Sequence, residues 1–181
     1  MPKILLTGPP SCGKTTVIRK VVAGLLVPAG GFYTQELRDV HHVRLGFEIV
    51  TLDGRRATLA HVDIRSPQRV GKYGVDLAAL DGLAVQVVHL ALELGGLVVI
   101  DEIGPMELLS TLFRQVVLEA LESDASLLAT IVQRSTPFTD AFKRRPEVTL
   151  MEVRPDNREH LPGDILALLL EPQRHQDHEV S

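Results

Sequence analysis

The sequence predicts an α/β protein: a mainly parallel sheet with helices on both faces, carrying an inserted block of antiparallel strands. Three observations lead there. Through the second half of the chain, apolar runs of strand length alternate with segments of helical periodicity, the pattern of β–α–β units. Leu97-Val98-Val99-Ile100 is continuously apolar, as a strand covered on both faces must be. Between about Phe32 and Val62 the pattern turns strand-like, with turn residues between the segments.

The first element is the short apolar run Lys3-Ile4-Leu5-Leu6-Thr7, a buried strand. It leads into Gly8-Pro9-Pro10-Ser11-Cys12-Gly13-Lys14-Thr15, which fits the phosphate-loop pattern G-x-x-x-x-G-K-[ST] at every specified position. Apolar residues at helical spacing follow from Thr16 to Leu26. Strand, glycine loop and helix is the order that phosphate binding requires. The glycines let the backbone of Gly8 to Thr16 curl so that its N–H groups, those of residues other than Pro9 and Pro10, face a phosphate, and the helix adds its positive dipole end. Lys14 would reach the β- and γ-phosphates, and the Thr15 hydroxyl would ligate Mg²⁺. The pattern marks a nucleotide-binding protein.

Val27-Pro28-Ala29-Gly30-Gly31 breaks the helix. Segments 31–37, 43–52 and 55–62 read as the inserted strands, with Leu52-Asp53-Gly54-Arg55 a hairpin turn. About 30 residues cannot build a core alone, so the block belongs to a single domain spanning 1–170. Residues 63–76 hold Arg65, Pro67, Arg69, Gly71, Lys72 and Gly74 and read as a lid-like loop. A helix over 83–94 is apolar except for one narrow stripe of Gln86, His89 and Glu93. His89 reads as a plain surface histidine. After Gly95-Gly96 and the buried strand come a helix at 108–122, a strand at 127–132, a short helix at 139–144, a strand at 148–153 and a helix at 161–170. Residues 171–181 are polar and read as a flexible tail. His175 and His178 within it lack the fixed partners a metal site needs.

Composition narrows the function. Of 181 residues, 45% are hydrophobic and 23% charged, ordinary for a soluble globular chain. A net charge of −4, only 4% aromatics and no Trp argue against nucleic acid as the main partner. Cys12 is the only cysteine, which excludes an intrachain disulfide and suits a reducing cytoplasm. Its position in the loop raises oxidation as a minor hypothesis, but a small residue filling a loop position is the simpler reading. Met1-Pro2-Lys3 runs straight into the first strand, leaving no room for a signal peptide, and no uninterrupted apolar run reaches about 18 residues. The expectation is a soluble, cytoplasmic protein without a membrane partner.

A phosphate loop needs a partner carboxylate at the end of a buried strand, and Leu97-Val98-Val99-Ile100-Asp101-Glu102 has that form. Asp101 is assigned to Mg²⁺, and Glu102 to positioning or deprotonating the attacking water, with Glu107 in reserve as base. Charge developing on the γ-phosphate calls for a further cation. Lys72 is the first choice, because Gly71 and Gly74 beside it would let the loop close; Arg65, Arg69 and Arg38 are the others.

With these residues in place, the chain resembles the small P-loop nucleoside-triphosphatases of archaea and thermophilic bacteria, a family with a human cancer-related relative. The matching segments are Gly8 to Thr16, Gly31-Phe32-Tyr33-Thr34, Arg44-Leu45-Gly46-Phe47, Val70-Gly71-Lys72-Tyr73, Asp101-Glu102-Ile103-Gly104-Pro105-Met106-Glu107 and Asn157-Arg158, in family order over about residues 3 to 170. The resemblance implies a RecA-like core and slow, Mg²⁺-dependent hydrolysis of nucleoside triphosphates with loose base preference, ATP and GTP included. It also implies that Asn157 and Arg158 lie beside the base. Pro105 stands where the family also uses Lys, so no cation acts there. Two rival readings use the same loop. A nucleotide or small-molecule kinase would use a basic lid drawn from Arg38, Arg44, Arg55, Arg56, Arg65 and Arg69. A GTPase-like switch is weaker, because no Asn-Lys-x-Asp segment is present to select guanine.

Overall fold

The computed structural model describes residues 1–170; the expected tail lies outside them. Among the described residues, nine strands form one sheet in the order β5-β6-β4-β3-β2-β7-β8-β1-β9. The strands are β1 Lys3–Thr7, β2 Ala29–Arg38, β3 Arg44–Thr51, β4 Arg56–His61, β5 Arg69–Val70, β6 Tyr73–Val75, β7 Leu97–Ile103, β8 Ser126–Ile131 and β9 Val148–Glu152. The half from β2 to β9 is parallel, and the half from β2 to β5 antiparallel. The inserted block is therefore a continuation of the core sheet. Its first strand, β2, pairs parallel with β7 on one side and antiparallel with β3 on the other.

Alternation along the central strands builds two cores. Ile4, Leu6, Leu97, Val99 and Leu128 face α1 (Lys14–Gly24) and α6 (Leu161–Leu170), packing on Val17, Ile18, Val21 and Ile165. Leu5, Val98, Ile100, Leu127 and Ala129 face the other way, onto Leu80, Ala84, Val88, Phe113, Val116 and Val117. Each fully buried aliphatic chain contributes about 1.5–3 kcal/mol, and both faces are closed, so the central strands read as continuous apolar runs.

The structure differs locally from the sequence expectation. The 83–94 helix begins earlier: α2 (Leu77–Ala79) starts on an Asp76 cap, whose carboxylate accepts from the Ala79 N–H at 2.9 Å, and runs through a π-helical stretch, Leu80–Val85, into α3 (Gln86–Leu94). The π turn carries Asp81-Gly82 inside the helix, where those residues look like a break. The whole of Leu77–Leu94 is long and apolar enough to cross a membrane by length and composition, but its buried side belongs to the sheet core. His89 lies on the exposed side, 3.5 Å from Glu119. Part of the 63–76 loop is the β5–β6 hairpin. The 108–122 helix is a 3-10 turn, Glu107–Leu109, followed by α4 (Thr111–Glu122), because the Ser110 hydroxyl accepts from the Phe113 N–H at 3.0 Å and caps a fresh helix. The short helix α5 spans Pro137–Lys143.

Lys3 is a charge in the core. Its ammonium donates to the carbonyls of Ala120, Ser123 and Ala125 at 2.7–2.8 Å, satisfying the C-terminal end of α4.

Candidate active site

The C-terminal ends of β1 and β7 open on the same edge of the sheet, where α/β folds bind ligands. Gly8 leaves β1 at φ 145°, and a Cβ there would lie 2.8 Å from the Val153 carbonyl oxygen and 2.9 Å from Cys12 Sγ, so only glycine lets the loop fold back. Lys14, the first residue of α1, lays its ammonium across the loop, donating to the carbonyls of Gly8 and Pro9 at 3.0 Å each. Cys12 is buried with Ile4, Leu6 and Val17, as the simpler reading of it expects.

A β-bulge assembles the acids. The pairing of β7 with β8 runs Ile100 to Ala129 and then Ile103 to Ile131, so Asp101 and Glu102 together oppose Thr130. Neighbouring strand residues normally point to opposite faces; the extra residue re-aims them so that both line one cleft. Asp101 is buried. Its Oδ1 accepts from the Thr130 hydroxyl at 2.5 Å, and its Oδ2 has no partner among the described residues. Burial pushes the Asp101 carboxyl above its ordinary value, against the Thr130 hydrogen bond, the nearby Thr15 hydroxyl and the charges of Lys14 and Arg19. Burial and then the Asp101 charge raise Glu102 too, with Lys14 opposing.

The cleft holds about 440 Å³. One wall is the loop, Pro10, Ser11, Gly13, Lys14, Thr15 and Thr16; Asp101 and Glu102 form the floor; Thr34, Glu36, Arg44 and Phe47 of β2 and β3 form the far wall. The structure thus brings Lys14, Thr15, Asp101 and Glu102 together. Glu107 is buried close enough to feel the charges of Glu102 and Asp101, but it does not line the cleft. Lys72 is not in the cleft either. Its ammonium packs 5.4 Å from the centre of the Tyr73 ring, outside the wall that Arg44 occupies. Arg69 donates to the Lys72 carbonyl and Arg38 to that of His42, each at 2.6 Å. Sequence reasoning placed Arg44 in a family-matching segment and gave it a role only in the rival kinase lid.

On the other side of the loop, Gly13, Thr16, Val17, Lys20, Arg158 and Glu159 line a smaller hollow of about 210 Å³. Arg158 lies over Gly13 there. Asn157 turns its side chain to the backbone: its amide donates to the Glu152 carbonyl and its side-chain oxygen accepts from the Arg154 N–H, both at 2.8 Å.

The oxygen donors of Thr15 and Asp101 suit a hard cation that keeps other ligands from phosphate and water. The buried, partnerless Asp101 Oδ2 fits such an ion. Among the described residues, no group of three His, Cys, Asp or Glu is placed to hold a metal ion alone.

Sheet, loop and buried acid together define a P-loop nucleotide-binding α/β protein. The family described as NTPase matches residues 3–166. Among similar proteins, nucleoside-triphosphatase THEP1 of Thermotoga maritima is 46% identical over 92% of this chain and 95% of its own length. The human cancer-related nucleoside-triphosphatase is 40% identical over 90% and 94%. The crystal structure of THEP1 from Aquifex aeolicus matches with a TM-score of 0.86 at 35% identity, over 93% of this chain and 99% of that one. The chain belongs to this NTPase family.

Proposed function

We propose that this chain hydrolyses nucleoside 5′-triphosphates to the diphosphate and inorganic phosphate, slowly, with Mg²⁺ and with loose base preference. The observation that carries the reading is the juxtaposition of Asp101 and Glu102 on the floor of the phosphate-loop cleft. Lys14 exchanges the Gly8 and Pro9 carbonyls for the β- and γ-phosphates, and the loop N–H groups hold the same oxygens. Thr15 and Asp101 would hold Mg²⁺, which supplies charge neutralisation between the β- and γ-phosphates when bound. Glu102 orients water and takes its proton as the water oxygen bonds to the γ-phosphorus and the bond to the β-bridging oxygen breaks. Its raised basicity, from burial and Asp101, suits that task.

Arg158 supports loose base preference. A guanidinium plane stacks on any base, and Asn157, the amide that could read a base edge, is committed to the backbone. Pro10, Ser11, Thr16 and Arg44 leave the cleft open to water, which weakens its electrostatics and favours slow turnover. The interposition of β8 between β1 and β7 supports a RecA-like core. The names of the relatives favour hydrolysis and lend nothing to the kinase reading. A nucleoside-triphosphate substrate and a cytoplasmic location complete the proposal.

The test is phosphate release from ATP, GTP, CTP and UTP, with and without Mg²⁺, for the wild type and Glu102→Gln. Magnesium-dependent release from several nucleotides, lost in the variant, is expected. Nucleotide binding with no phosphate released, and diphosphate formed only when an acceptor is added, would replace the hydrolase with a kinase.

A further inference from the structure

Resting on that reading, we infer that Arg44 is the arginine that stabilises the transferring γ-phosphoryl group, supplied from within the same chain, and that Glu36 positions it. The sheet order provides the direction. Strand β1 delivers the phosphate loop, β7 the acids, and β2 and β3 lie beyond β7 as seen from β1. Arg158 sits on the opposite side of the loop. A nucleotide with its base by Arg158 and its phosphates in the loop therefore runs toward β7, and its terminal phosphate faces the wall made by Thr34, Glu36, Arg44 and Phe47.

Of the described residues lining that cleft, Lys14 and Arg44 alone are cationic. Lys14 belongs to the bound phosphates, so the charge that develops beyond them falls to Arg44. Its guanidinium is already held in place. One terminal nitrogen, Nη1, is 2.7 Å from Glu36 Oε1, Nε donates to the Tyr73 hydroxyl at 3.1 Å, and the group lies 5.2 Å from the centre of the Phe47 ring and 6.0 Å from that of Tyr73. The two rings brace each other edge to face at 5.3 Å. Two of the five N–H donors are thus accounted for; the other three have no hydrogen-bond partner among the described residues, and the side chain lines the cleft. A group fixed before the reaction costs no reorganisation when charge appears. Other cations nearby are committed elsewhere: Arg38 to Glu36 and the His42 carbonyl, and Arg19 to the face of Tyr33 at 4.2 Å.

Arginines in this role contribute about 10³–10⁵ in kcat, so Arg44→Ala is expected to lower kcat by roughly 10³-fold. Binding of a non-hydrolysable ATP analogue should change by less than about threefold, the separation that marks a transition-state contact. Arg44→Lys should stay at least about 10²-fold down, because an ammonium lacks the planar fork. Glu36→Gln should lower kcat while leaving analogue affinity and thermal stability alone, and free guanidinium should partly restore Arg44→Ala. The ADP–aluminium fluoride complex should form on the wild type and fail on Arg44→Ala. Turnover of Arg44→Ala near the wild-type level, or analogue affinity that falls as far as kcat, would overturn the inference. Absence of phosphate release from the wild type would instead remove the hydrolase reading itself.

Discussion

Thr130 and Asp101 share a buried hydrogen bond of 2.5 Å, and the other Asp101 oxygen, in a residue that lines the cleft, is buried without a hydrogen-bond partner among the described residues. The hydroxyl fixes which oxygen is presented to a metal. Partners of metal ligands are worth about 10–100-fold in affinity or activity, so Thr130→Val should raise the half-saturating Mg²⁺ concentration for hydrolysis by that factor. Nucleotide affinity without Mg²⁺ should hold. An unchanged Mg²⁺ titration would show that Thr130 only fills space.

Gly104 controls the Glu102 carboxylate by having no side chain. A Cβ at 104 would lie 2.5 Å from Glu102 Oε1 and 2.9 Å from its Cδ. The obstructed group is the end of a flexible side chain, so the fold should survive Gly104→Ala while the carboxylate shifts. A displacement of about 1 Å in a catalytic group can cost ~10²-fold. A loss of that order in kcat is expected, with nucleotide affinity maintained, by steady-state kinetics alongside direct binding.

Glu107 gives a pH signature. Burial, and then the charge of Glu102, push its carboxyl well above its ordinary value. The folded state therefore holds this proton more tightly than the unfolded chain. The contribution is fully present below the unfolded value and is lost as pH rises through the folded one. Glu107→Gln cannot ionise, so between acid and neutral pH its melting temperature should fall less than that of the wild type, measured without Mg²⁺. Parallel melting curves would refute the assignment.

Removing the Lys3 ammonium strands the carbonyls of Ala120, Ser123 and Ala125. A buried group left without its hydrogen bond costs about 1–3 kcal/mol, and at this size each kcal/mol moves the melting temperature by about 2–4 °C. Lys3→Met should therefore melt several degrees lower, while the specific activity of the folded fraction is unchanged.

Lys72→Ala should turn over within about twofold of the wild type, the ordinary range for a side chain outside the reacting centre. Its ammonium rests on Tyr73, away from the cleft. A drop of the size expected for Arg44→Ala would mean that the β5–β6 hairpin closes over the nucleotide.

Much of the site was legible because it is local. Gly8 to Thr16 carries its own turn chemistry, and a buried apolar strand announces Asp101 and Glu102. What escaped depends on pairing. Arg44 faces the cleft through a register in which Arg38 opposes Arg44 and Glu36 opposes Phe47. Hairpin arithmetic across residues 39–43 could have brought Glu36 near Arg44, but composition cannot rank it above Lys72. The bulge at Asp101-Glu102 is equally silent, since its signal is the count of residues on β8. The fold followed the same division. Helix α6 matches its expected span, whereas the start of the long helix was hidden by Asp81-Gly82, which a π turn accommodates.

Strand β8 bonds to both β1 and β7, which do not touch each other in the sheet. Its residues follow Asp101 by a 3-10 turn and one helix in the order of synthesis. A growing chain that has emerged only as far as α4 would carry the phosphate loop, both acids and Arg44, yet have nothing to hold the first of them beside the others. Nucleotide binding should therefore arise late in translation, in a single step when 126–131 slots between its neighbours, and the ribosome-bound N-terminal portion should be unable to bind or waste triphosphate.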